Sequence, residues 1–222
     1  MGYWAYYLAF LFLAYALQYP WLLGGVVVFF LLRRFVPDPF VLFRTMGRIR
    51  GLRTQVDSNP ANLTARRDLA AIYLERLRPR AALKLLDEAR KREPTNPELL
   101  YLTGVARHRL GDHEGALGPL VEAVQTDGRL RFGEPYLVAG DALTALGRDE
   151  EAEDSYERYV DSNSSTVEGY LKLARTRRRR GNRDGAQHAL REALDTFGQL
   201  PSFRRRQQLG WWLRAQLARL YT

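Results

Sequence analysis

The chain contains no cysteine, which rules out disulfides, thiolate zinc sites and thiol catalysis. Lysine is almost as scarce: Lys84, Lys91 and Lys172 are the only three, so arginine carries nearly all the positive charge. Histidine occurs at His108, His113 and His188, with no carboxylates clustered around them at metal-ligand spacing. His108 and His113, beside Asp112 and Glu114, read as turn and helix-start residues. No stretch reads convincingly as a strand, so no strand-to-helix glycine loop exists to cradle phosphate and no nucleophile elbow is found. These absences leave no catalytic centre, cofactor site or metal site to propose.

What the chain does have is a repeat. Ala82, Ala116, Ala152 and Ala186 stand 34, 36 and 34 residues apart. Twelve positions before each stands a small residue (Ala70, Gly104, Gly140, Ala174), and five before stand Leu77, Gly111, Gly147 and Gly181. Four after each come Leu86, Leu120, Tyr156 and Leu190. A period near 34 residues with a glycine punctuating its middle predicts two helices per unit, the glycine ending the first in a left-handed conformation. The pairs fall at about 61–76 with 79–92, 97–110 with 113–126, 133–146 with 149–162, and 167–180 with 183–197. Small residues at matching places let the two backbones approach, and large apolar residues fill the remaining space.

This pattern resembles the tetratricopeptide repeat (TPR), most clearly in NPELLYLTGVARHRLGDHEGAL and EPYLVAGDALTALGRDEEAEDSY, with Tyr73 at the family's aromatic place in the first unit. The departures are the absence of tryptophan near the start of any unit, Leu77 for glycine, Arg177 for an aromatic and Tyr159 for alanine. The resemblance covers residues 61–198 and implies an all-α TPR solenoid. Three or more stacked pairs share a continuous core, so four suffice. The expected layout is four TPR units over 61–200 and a closing helix over 201–222, where Leu209, Leu213, Leu217 and Leu220 recur at helical spacing. Pro60 lies 34 residues before Pro94, so Phe43 to Val56 reads as an orphan second helix within a basic linker, 37–60.

Residues 1–36 form a different element. The run from Tyr3 to Leu32 is almost wholly apolar, interrupted mainly by Gln18 and Pro20. As one helix its 30 residues would measure about 45 Å against a hydrocarbon core of about 30 Å, which leaves apolar length over. A transmembrane hairpin near 3–17 and 21–35 is favoured by aromatic residues at Tyr3, Trp4, Tyr6 and Tyr7 and again at Tyr15, Tyr19 and Trp21. A single tilted or kinked transmembrane helix and a monotopic hairpin stay open. A cleaved signal peptide fits poorly, because no basic residue precedes the run. Arg33, Arg34, Arg44, Arg48, Arg50 and Arg53 follow it, which places this flank and the repeats in the cytoplasm. A loose resemblance to bacterial membrane-tethered TPR proteins implies the bacterial inner membrane.

The net charge of +9 is uneven: residues 1–60 carry +4, residues 61–166 carry −4 and residues 167–222 carry +9. The TPR resemblance implies a concave groove lined by first helices, here Arg67, Tyr101, His108, Arg109, Asp141, Arg175, Arg178 and Arg179. A groove that turns basic at its far end suits an acidic protein segment. The arginine run Arg177–Arg180 is also compatible with a solvated helix face, with anionic lipid or with RNA, nucleic acid ranking last because no stacking aromatics accompany it. A chaperone-type carboxylate clamp is not carried over, since Ala71 stands where asparagine is needed. Trp211 and Trp212 read first as covering the last repeat's apolar face; because they point to different sides of one helix, Trp212 is also a candidate exposed aromatic. The expectation is a membrane-anchored scaffold or adaptor that binds a partner protein. The alternatives are an assembly or regulatory subunit of a membrane protein complex acting through its transmembrane segment, and lipid or RNA binding by the basic third.

Overall fold

Left-handed residues divide the chain into helix pairs. Gly111, Gly147 and Gly181 take φ of 84°, 75° and 82°, and Leu77 takes the same place with φ of 55°. The structure, a computed structural model, describes residues 39–220 together with Gln18, Tyr19 and Trp21. The anchor expected over residues 1–36 therefore lies, but for those three, outside the described residues. Among the described residues no helix is long and apolar enough to cross a membrane.

Among the described residues ten α-helices follow one another: α1 (Pro39–Ser58), α2 (Leu63–Glu75), α3 (Pro79–Arg90), α4 (Pro97–Arg109), α5 (His113–Thr126), α6 (Glu134–Ala145), α7 (Asp149–Ser162), α8 (Val167–Arg179), α9 (Arg183–Gln199) and α10 (Ser202–Arg219). The same residues hold no strand. The eight repeat helices end within two residues of the positions read from the period. Side-chain oxygens of Asn62, Asn96, Asp112, Thr166 and Asn182 cap the starts of α2, α4, α5, α8 and α9, satisfying amides that the first turn leaves open. Pro79, Pro97 and Pro135 sit at the beginnings of α3, α4 and α6, where a missing amide hydrogen is harmless.

The repeat columns are the packing. The four column alanines are all buried. A Cβ added at Gly104 would stand 2.5 Å from Leu120 Cγ, and one at Gly140 would stand 2.6 Å from the Tyr156 ring. Each first helix also packs on the second helix of the preceding unit, and first helices meet first helices in the pairs α2–α4, α4–α6 and α8–α10. Second helices do not pack on one another to a comparable extent, so the first-helix row is the inner one. α1 leans on α2 through buried Ile49 and Val56, and Arg53 donates to the Tyr73 hydroxyl at 2.9 Å.

The one longer period has a structural cause. Its two additional residues fall between α5 and α6, where Leu130–Gly133 form a 3₁₀ turn and Arg131, Phe132 and Gly133 take φ of 48°, 55° and 79°. The core divides within α6, just after this join, into a cluster running from Ile49 to Ala139 and one running from Leu143 to Ala215, with Leu117 against both.

At the far end the structure corrects one expectation. α10 closes the array by packing on α8 and α9, but not through its leucines. Ala215 is buried and Trp211, Trp212 and Ala218 pack on the core, whereas Leu209, Leu213, Leu217 and Leu220 face outward. The rotation is set by Gln208, which accepts from the Val167 amide at 2.7 Å and donates to the Ser165 carbonyl at 2.9 Å.

Candidate partner-binding surface

Most residues assigned to the groove are already engaged by the fold. Arg67 pairs with its neighbour Asp68 at 2.8 Å. Tyr101 is buried, donates to Glu134 at 2.9 Å and lies under the Arg131 guanidinium. Burial and then the Glu134 carboxylate push its phenol well above the usual range. Arg109 donates to the Leu74 carbonyl at the end of α2, so it tethers one unit to the next. His108 rests against His113 with ring nitrogens 3.1 Å apart, and burial lowers its pKa. At that contact one ring nitrogen donates and the other accepts. Asp141 accepts from the Tyr156 hydroxyl and from Lys172, each at 2.8 Å.

Three members of the arginine run pair with α7: Arg177 is shielded from water, which corrects the solvated-face reading for it, whereas Arg179 and Arg180 stay exposed, and Arg179, assigned to the groove, already has a counter-ion. Arg177 reaches Glu153 at 3.0 Å and also Glu157; Arg180 reaches Glu153, and Glu150 at 3.5 Å. Arg179 grips Asp149 at 2.7 Å, and that hydrogen bond holds the Asp149 carboxyl below its ordinary value. The acidic first turn of α7, favoured there by the helix dipole, is thus also the counter-surface for α8. Glu153 and Arg177 in this zipper are largely shielded from water, so their attraction is screened less than a surface pair's.

Two cations of α8 are left over, Arg178 of the run and Arg175 just before it. Arg175 and Arg178 are exposed on α8, and neither side chain makes a hydrogen bond or ion pair with a described residue. Partial burial, with Arg214 of α10 and Arg179 close by, lowers the Arg175 guanidinium from its ordinary value. Such a cluster of like charges favours an incoming anion. Leu171, one turn before Arg175 on the same face of α8, is fully buried, so α10 covers the α8 face up to these arginines.

Trp212 takes the covering role and not the exposed one. It stacks on Phe197 with centroids 5.1 Å apart, and Trp211 lies between Lys172 and Arg214. Both tryptophans are half-buried. Sequence reasoning missed Lys172, which bridges Asp141 and, at 2.7 Å, Glu168. Burial by itself lowers that ammonium, but the two carboxylates outweigh it and the net shift is upward. It also missed Glu153, buried between two arginines; the signal was an acidic second helix directly followed by an arginine-rich first helix. Among the described residues no three histidine, cysteine or acidic side chains are grouped to hold a metal.

The tetratricopeptide repeat family model matches residues 67–129. No curated protein matches the chain. Among solved structures, MamA aligns at 21% identity and a TM-score of 0.63 over 69% of this chain and 91% of its own. A thermophilic TPR protein of Thermus thermophilus aligns at 21% identity and 0.63 over 82% and 93%. YrrB, described as a TPR protein with an unusual peptide-binding site, aligns at 17% identity and 0.58 over 74% and 88%. Residues 67–129 carry the tetratricopeptide repeat in their sequence, and the described chain carries its solenoid in its fold.

Proposed function

We propose that this chain is a membrane-tethered adaptor whose TPR array faces the cytoplasm and takes up an acidic segment of a partner protein. The observation that carries the recognition half is the pair Arg175 and Arg178. They stand on the inner row of helices without a counter-charge, while the neighbouring arginines are neutralised by α7. Guanidinium forks bind carboxylates in bidentate fashion and supply both affinity and register. YrrB's peptide-binding site supports the assignment by analogy of fold. The tether half rests on the apolar run Tyr3–Leu32 and the arginines that follow it.

The test uses Arg175→Glu with Arg178→Glu in the full chain, with Arg179 left intact because it holds Asp149. Crosslinking in membranes followed by mass spectrometry should show about a tenfold drop in the captured partner, with unchanged circular dichroism. An unaltered partner set would sink the groove assignment. For the tether, one cysteine placed at Ser58 of this cysteine-free chain should fractionate with membranes and react with an impermeant thiol reagent only from the cytoplasmic side. Labelling from outside intact cells would reverse the topology.

A further inference from the structure

The outward leucines of α10 have a counterpart elsewhere in the fold. Between α5 and α6 runs a groove whose third wall is α7, contributing Glu150, Glu151 and Asp154. Between α7 and α8 runs another, with α9 as its third wall. The matching groove between α9 and α10, about 540 Å³, has Leu190, Leu194 and Trp212 in its walls and no third helix among the described residues. α10 packs on α8 and α9 as a first helix packs on the unit before it, so its bare side is the place of a second helix. Next to the groove-lining Trp212, Gln216 and Arg219 in helical register, Leu209, Leu213, Leu217 and Leu220 on the outward face of α10 are 45%, 50%, 57% and 76% exposed.

Charge selects what fits there. Arg206 falls within the leucine stripe by helical register, and Arg191 and Arg219 line the groove against the carboxylate of Asp195. A second copy of the chain would bring one basic end onto another, or onto the α1 end with Arg44, Arg48, Arg50 and Arg53. A lipid surface next to a tether that precedes Pro39 is at the wrong end, since nine helices stacked neighbour on neighbour, α1 to α9, come between Pro39 and α10. The fold holds its own precedent for the remaining occupant: the acidic second helix α7 docked on arginines of α8.

We propose that α10 is a docking site for an acidic amphipathic helix of a partner protein, which would lie along Leu209, Leu213, Leu217 and Leu220 and extend the solenoid by one second helix. Its apolar side covers the leucines, and its carboxylates meet Arg206, Arg191 and Arg219. This surface is distinct from the one around Arg175 and Arg178.

The experiment titrates the full chain, in phosphatidylcholine nanodiscs, with a fluorescent synthetic helix of about the length of α10. The helix carries leucines spaced to match the stripe and glutamates on both flanks, and a second peptide keeps the leucines with lysine for glutamate. The acidic peptide should bind at least about tenfold tighter than the basic one. Leu213→Glu with Leu217→Glu should weaken it at least about tenfold, and these half-exposed sites leave the core intact. Arg206→Glu should weaken it severalfold and flatten its salt dependence. Arg175→Glu with Arg178→Glu should bind it as the native chain does, so that this docking site and the groove reading fail separately. Equal binding of the two peptides, or none of the acidic one, overturns the proposal. So does self-association of the native chain lost in the leucine variant, which would make a second copy the occupant. Leucine-dependent flotation with phosphatidylglycerol vesicles would make it lipid.

Discussion

Between α4 and α5 the close approach at Gly104 is filled by Leu120, whereas between α6 and α7 the same approach at Gly140 is filled by Tyr156. The substitution of tyrosine for leucine brings a hydroxyl into the interior, and the hydroxyl needs partners. It donates to Asp141, Asp141 binds Lys172, and Lys172 binds Glu168 on its own helix. The acidic α7 and basic α8 add their own pairs beside it. One backbone repeat is thus held by apolar contact in its first half and by a polar network in its second. The solenoid geometry depends on close approach of paired helices, not on the chemistry that fills the gap.

The comparison is broken most sharply by Leu120→Ala. Leu120 is 1% exposed, and its truncation should cost about 3 kcal/mol in urea denaturation, with the same loss at low and high salt. A salt-dependent loss would mean that the first half also relies on charge. Glu153→Ala leaves Arg177 and Arg180 without their shared partner and should cost about 2 kcal/mol at low ionic strength, a loss that shrinks as salt is added. A loss that did not change with salt would assign Glu153 a packing role instead. The smallest effect concerns the turn in which the first unit departs from the rest. Leu77 adopts a left-handed conformation that glycine takes without strain, so Leu77→Gly should stabilise by about 0.5 kcal/mol, the relief of strain exceeding the added chain entropy. A lower denaturation midpoint would show that the Leu77 side chain packs usefully.

Much of this architecture was readable from the chain. The alanine and small-residue columns located both helices of each unit, because close packing at a fixed crossing tolerates only small side chains at the contact. Gly111, Gly147 and Gly181 announced their turns, because a residue with a Cβ is strained there. The candidate surface was far less legible. Tyr101, Arg109, Asp141 and Arg179 stand at groove places by register, yet each is bound to a neighbouring unit by contacts 30 to 35 residues away in sequence. Register states which face of a helix a residue occupies. It does not state whether the next unit has already taken its hydrogen bonds.

The leucines of α10 show the same limit from the apolar side. Their helical spacing correctly marked an amphipathic helix, and the adjacent Trp211 and Trp212 stood on two other sides of it. Only assembly decided that the tryptophans and Gln208 would turn inward and leave the leucines bare. By itself the sequence determined the repeat, its helix ends and its glycine turns, since these depend on local backbone strain and on the sizes of residues at fixed spacing. The tertiary structure alone decided which of the many arginines remain unpaired and which apolar stripe remains uncovered. Both depend on what the adjacent helix offers, and that is settled only when the units stack.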